Sequence, residues 1–250
     1  MKPLVLLAGV ALAGLAVASE THAATARVEV YDRTTGATLS VHRRFGERWI
    51  AGERGHEYGL RIRNDSDVRV LAVVSVDGVN AVSGETASPA QPGYVIEPGA
   101  VATIEGWRKS LDRTAAFVFT DPSRAYATRT GRPDDVGVIG IALFRERAPA
   151  PPPEAELARA QTQDATTAAA AREPARAAAP SLGTGHGRSE HSPARWTAFE
   201  RASATPDEIV ALRYESRAAL IAMGVLPREP APRRTRPEPF PAAFGFVPDP

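Results

Sequence analysis

Between Ala24 and Arg147 the apolar residues recur at every second position in short runs. Val28 and Val30 are set off by Arg27, Glu29 and Tyr31, and Tyr58, Leu60 and Ile62 by Glu57, Arg61 and Arg63. A two-residue period places each set on one face of a strand. Val68 to Val76 is nearly continuous in apolar residues, broken by Arg69 and Ser75, which predicts a central strand covered on both faces. Its partner is expected just after Asp77-Gly78. Val101 to Trp107, Ala115 to Thr120 and Val136 to Phe144 supply three more candidates, and Gly137 and Gly140 disfavour helix in the last. Thr35-Gly36, Asn64-Asp65-Ser66, Asp77-Gly78 and Pro98-Gly99 fall between the runs and carry turn chemistry. No stretch here has helical spacing.

Roughly seven to nine such strands over about 120 residues predict a mainly β domain, an antiparallel two-sheet sandwich of immunoglobulin-like or jelly-roll type. A closed barrel is the alternative. The chain has no cysteine, so the disulfide of a true immunoglobulin domain is excluded and stability must come from the core.

The pattern stops at about residue 148. Residues 148–192 hold Pro151-Pro152-Pro153, Ala168 to Ala171 and no periodic hydrophobes, a composition expected to form a disordered linker. Large apolar side chains return at Trp196 and Phe199. Over 193–226 two arrangements compete. Thr205-Pro206-Asp207-Glu208 resembles a helix start, whereas Val210, Leu212 and Tyr214 alternate as in a strand, paired with Arg195 to Glu200. The favoured reading is a small α+β segment: a strand over 209–214, then a helix from Arg217 to Met223, capped by Ser216 and closed by Gly224. Residues 227–250 form a Pro/Arg-rich tail in which Phe240, Phe244 and Phe246 are candidates for docking on a folded part or a partner.

Residues 1–23 carry the three parts of a secretory signal: a positive start at Met1-Lys2, an apolar run from Leu4 to Val17, and Ala23 at the cut position. That run is shorter than the roughly 20 residues of a spanning helix, and no other stretch would span a bilayer. A periplasmic or secreted product is expected. The formal net charge of +1 argues against nucleic acid as a partner.

Catalytic templates fail. His56-Glu57 begins like a zinc-protease helix, but Leu60 stands where the second histidine belongs. No G-x-S-x-G elbow and no thiol exist. Gly183-Thr184-Gly185-His186-Gly187 lacks the strand and the lysine of a phosphate loop, and His186, Glu190 and His191 are too sparse to assign a metal. Asp121, Tyr126, Arg129, Asp134 and Asp135 populate a loop with too few ligands for calcium. No cofactor is implied.

A binding surface is the sharper expectation. A long loop from Asp77 through Glu85 to Tyr94 faces recognition, and Trp107-Arg108-Lys109 sets an aromatic beside two cations. Asn80, Glu85, Tyr94, Trp107, Arg108 and Lys109 are the candidate binding residues. The competing reading makes Asn80 and Glu85 satisfiers of loop backbone, and Tyr94 and Trp107 caps of the core.

The strings VDGVNAVSGETA, GWRKS and VGVIGIALF, with GTGHG and FGFVPDP, are similar to a group of exported bacterial proteins of unknown function. The resemblance spans most of the chain beyond residue 23 and implies no activity. Two functions follow from the residues: a non-catalytic module that binds an envelope protein or a small polar ligand, or an envelope hydrolase of glycans or peptides using Glu85 and Asp121 as acid and base.

Overall fold

The computed structural model describes residues 25–148 and 180–228. The strands are β1 (Ala26–Asp32), β2 (His42–Arg44), β3 (Glu47–Gly52), β4 (Glu57–Asn64), β5 (Val70–Val76), β6 (Val79–Asn80), β7 (Tyr94–Ile96), β8 (Val101–Ile104), β9 (Gly106–Arg108), β10 (Arg113–Thr120) and β11 (Val138–Arg145). After the undescribed segment come β12 (Gly183–His191) and β13 (Glu208–Ser216). Among the described residues helix is confined to a 3₁₀ turn at Pro122–Arg124, one α-turn, α1 (Tyr126–Arg129), and α2 (Arg217–Ala222). Among the described residues no helix is long and apolar enough to cross a membrane.

The strands form two sheets around one core, the expected sandwich. The first runs β1-β4-β10-β12, with β8 and β9 wedged between β4 and β10 so that these two touch directly only at Phe117↔Tyr58 and Val118↔Glu57. The second runs β2-β3-β13-β11-β5, with β6 and β7 sharing the outer side of β5. All pairs are antiparallel except β3 with β13. Period two is realised as read: Tyr58, Leu60 and Ile62 of β4 and Val70, Ala72, Val74 and Val76 of β5 face a common core. The other face of β5 is covered too, with Leu71 and Val73 joining Ala142 and Phe144 beneath Val95 and Phe199. Asp77-Gly78 forms the tight reversal into β6, both with positive φ (52° and 72°).

The C-terminal part departs from expectation. Gly183–His191, assigned to the linker, is an edge strand paired along its length with β10. Its composition hid it: a Cβ on Gly183 would lie 2.7 Å from Ala125 Cβ, and one on Gly187 2.6 Å from Val118 Cγ2. These glycines permit close packing rather than flexibility. The strand-then-helix reading of 208–222 holds, with Ser216 Oγ accepting from the Ala219 amide and Gly224 at φ 72°. The pairing with Arg195–Glu200 does not. Glu208–Ser216 instead inserts between β3 and β11, in the middle of the second sheet. Residues 192–202 form a strap linking β12 to β13, tied by backbone bonds from Ser192 to Asp112, Ala194 to Leu111 and Ala202 to Arg145. Residues 149–179 of the expected linker, the leader 1–23 and the phenylalanines of the tail lie outside the described residues.

A buried polar network joins the late strands to the early ones. Asp77 is fully buried; its carboxylate accepts from the amides of Gly137 (2.9 Å) and Thr184 (2.7 Å) and from the Tyr214 hydroxyl (2.5 Å). Thr184 Oγ1 bonds the hydroxyls of Tyr58 (2.6 Å) and Tyr214 (2.7 Å). Burial pushes the Asp77 carboxyl up to about 6, against the pull of its three donors. Strands β4, β12 and β13 and the β5–β6 turn thus meet at one satisfied cluster.

Candidate functional site

The principal cleft, about 1160 Å³, lies between the Val82–Glu97 loop, the turn after β9 and the 192–202 strap. Each wall has a local cause. Asn80 shapes the loop: its Oδ1 accepts from the amides of Val82 (2.7 Å) and Ser83 (3.0 Å), and its Nδ2 donates to the Pro92 carbonyl (3.2 Å). The loop's other end is laid on β5 by β7, where Gly93 has no room for a side chain; a Cβ there would sit 2.3 Å from the Ala72 carbonyl.

Arg108 fixes the opposite wall. Its Nη1 donates to the carbonyls of Ser192 (2.7 Å) and Leu111 (3.2 Å), and its Nη2 to Ser192 Oγ (3.1 Å), so the guanidinium ties the β9 turn to the start of the strap. Its carbon lies 5.8 Å from the Tyr94 ring centroid. Burial pushes the Tyr94 phenol up, with the neighbouring Arg108 charge opposing. The strap is held across the second sheet by Phe199, by Arg69 donating to the Ala198 carbonyl (3.2 Å), and by Arg201 donating to the Gln91 carbonyl (2.8 Å).

Of the six sequence-derived candidates, Tyr94, Arg108 and Lys109 line this cleft. Trp107 does not. It is 3% exposed and packs edge-on against Phe117 (4.8 Å between centroids) and beside Tyr126 (5.0 Å). Alternation along β9 explains this: once Arg108 faces outward, Trp107 must face the core. Asn80 is buried and serves the loop backbone, and Glu85 is exposed and accepts from Gln91 Nε2 at 3.2 Å. For Trp107 and Asn80 the competing structural role is the one observed, whereas the Glu85 side chain bonds another side chain of the loop rather than its backbone.

Sequence reasoning missed the strap's contribution. Trp196, 74% exposed, and Arg195 line the cleft together with Lys109 and Leu111. Trp196 was visible as a returning aromatic, but nothing in the sequence ties it to a turn some 85 residues earlier. Four cations line the cleft, Arg108, Lys109, Arg195 and Arg201, against two carboxylates, Glu97 and Glu200. Glu200 is paired with Arg147, and Glu97 lies 3.9 Å from Arg69. Glu85 and Asp121, the proposed acid and base, are not among the lining residues, and Asp121 is engaged by Arg54 at 2.7 Å. Glu190 is likewise committed, to Arg33 (2.9 Å) and Arg188 (2.7 Å), which removes it as a metal ligand beside His186 and His191.

No protein family, curated protein or solved structure matches the chain.

Proposed function

We propose that this is an exported, non-catalytic binding module whose cleft takes an extended ligand carrying negative charge, either a segment of an envelope protein or a polar oligomer. The observation that carries the reading is an exposed Trp196 in one open cleft with Lys109 and Arg195, cations that form no ion pair with a described residue. An aromatic left in water, beside cations that pair with no described carboxylate, suits stacking and charge-assisted bonding to an incoming group. The cleft lies on backbone already fixed by Asn80, Gly93 and Arg108, so a ligand would meet a preformed site.

The test is site-specific photocrosslinking in the intact envelope. A photoreactive residue at position 196 should give a discrete adduct that Lys109→Glu with Arg195→Glu abolishes, while the same residue at Arg54 gives none. Equal adducts from both positions, or an adduct indifferent to the charge reversals, would overturn the reading.

A further inference from the structure

The β2–β3 hairpin has two local costs that nothing in the described chain offsets. Its loop is two residues long, Phe45 and Gly46, with Arg44 opposite Glu47. Both have positive φ, 55° and 76°, the signature of a type I′ turn, whose first position suits Asn, Asp or Gly. A bulky side chain in the left-handed region is strained, and such outliers gather where function holds them. Phe45 gains no burial in return: it is 70% exposed, its ring meeting the Arg44 guanidinium 4.9 Å away.

The second cost is electrostatic. Arg43 and Arg48 stand directly opposite each other across the strands, and neither forms an ion pair with a described residue. Like charges so placed repel. Glu47, the hairpin's carboxylate, is turned to Arg213 at 2.6 Å. With Val41, Val210 and Leu212 the two arginines line an open recess of about 330 Å³. Of the two acids on its rim, Asp65 is paired with Arg63 (3.0 Å), and Glu208 accepts from the Thr25 amide (3.1 Å) and forms no ion pair with either arginine.

An anionic surface relieves both costs at once. We propose that the tip of this hairpin docks on an anionic phospholipid surface, with Phe45 entering the headgroup layer and Arg43, Arg44 and Arg48 meeting lipid phosphates. One aromatic ringed by cations is the chemistry of interfacial anchoring, and each arginine near such a surface strengthens binding about five-fold. A protein partner is the poorer fit, because a two-residue convex tip falls far short of the roughly 800 Å² per side of a specific interface.

Two substitutions separate binding from folding. Phe45→Asn puts a preferred residue in the turn, and Arg43→Glu converts a repulsive cross-strand pair into an attractive one; both variants should melt no lower than the parent. Full-length protein is sedimented with vesicles of phosphatidylcholine alone, and with a third of it replaced by phosphatidylglycerol. Residues 1–23 add apolar affinity for both vesicle types and, through the positive start at Met1-Lys2, some anionic preference, and this contribution is common to the parent and both variants. The proposal expects preference for the anionic vesicles, its loss in high salt, and weaker partitioning of the variants, about ten-fold for Phe45→Asn and about 25-fold for the two-unit charge change of Arg43→Glu. Equal binding to both compositions, variants that sediment like the parent, or full competition by inorganic phosphate would each overturn it. A lower melting temperature for Phe45→Asn would overturn the claim that the turn is strained for an outside partner.

Discussion

Strand β4 puts Tyr58, Leu60 and Ile62 into the core and Arg61 and Arg63 outside it, while β12, reading GTGHGRSEH, buries two glycines and a threonine at its start and leaves the rest half or fully exposed. Both are integral strands of one sheet. The first is held by apolar side chains on a pleated face, roughly 1.5–3 kcal/mol for each one fully buried. The second is held by its backbone ladder to β10, by glycines that allow close approach, and by Thr184 in the Asp77 cluster. A strand can be specified by small residues and one polar anchor, and it then lacks the rhythm by which strands are read.

If the late strands are as essential as the early ones, removing them should be catastrophic. A chain stopped after Arg147 loses β12, β13, Leu182 and Tyr214, and leaves β3 and β11 as unpaired edges. It should show no cooperative unfolding transition by circular dichroism; a transition near that of the full chain would make the C-terminal strands an appendage.

The next largest effect is on pH. Folded Asp77 holds its proton up to about 6, against an ordinary value of 3.8 in the unfolded chain. Where the folded state binds more protons, stability falls as pH rises. This group's contribution is therefore full below about pH 4 and lost between pH 4 and 6, amounting to about 3 kcal/mol at ~1.4 kcal/mol per pH unit. Comparing urea unfolding of the parent and Asp77→Asn across that window should show their stability difference shrinking as pH rises. A difference flat with pH would remove the burial argument.

Thr184→Val sharpens the comparison further, since it keeps volume and deletes only the hydroxyl. Tyr58, fully buried, would be left without its hydrogen-bond partner, while Tyr214 keeps Asp77. A loss of about 1–3 kcal/mol in unfolding free energy is expected. No loss would return β12 to the status of a weakly attached edge.

Much of the fold was legible because burial and period coincide in β1, β4, β5, β10 and β11. Strands β2, β3 and β7 were not, being short or rich in arginine, and β12 was mistaken for linker because glycine signals flexibility and tight packing alike. Helix α2 was readable from its cap, Ser216, and its closing Gly224. Its preceding strand was readable as a strand but not as a neighbour of β3 and β11, since pairing over long separations leaves no local mark. The candidate site divided along one physical line. Arg108 and Lys109 stay at the surface, where charge keeps them, whereas Trp107 follows the strand's alternation inward. Trp196 could not be linked to them because the strap that carries it is positioned by backbone bonds and by Phe199, neither of which a linear pattern encodes.

The insertion of β13 beside β3 dictates a timetable. Synthesis from the N-terminus delivers every described strand of the second sheet except one before its middle can be filled, so that layer stays split until Ser216 has emerged. A polypeptide arranged this way cannot lock itself shut while its later part is still being made, and the last of its described strands acts as the bolt.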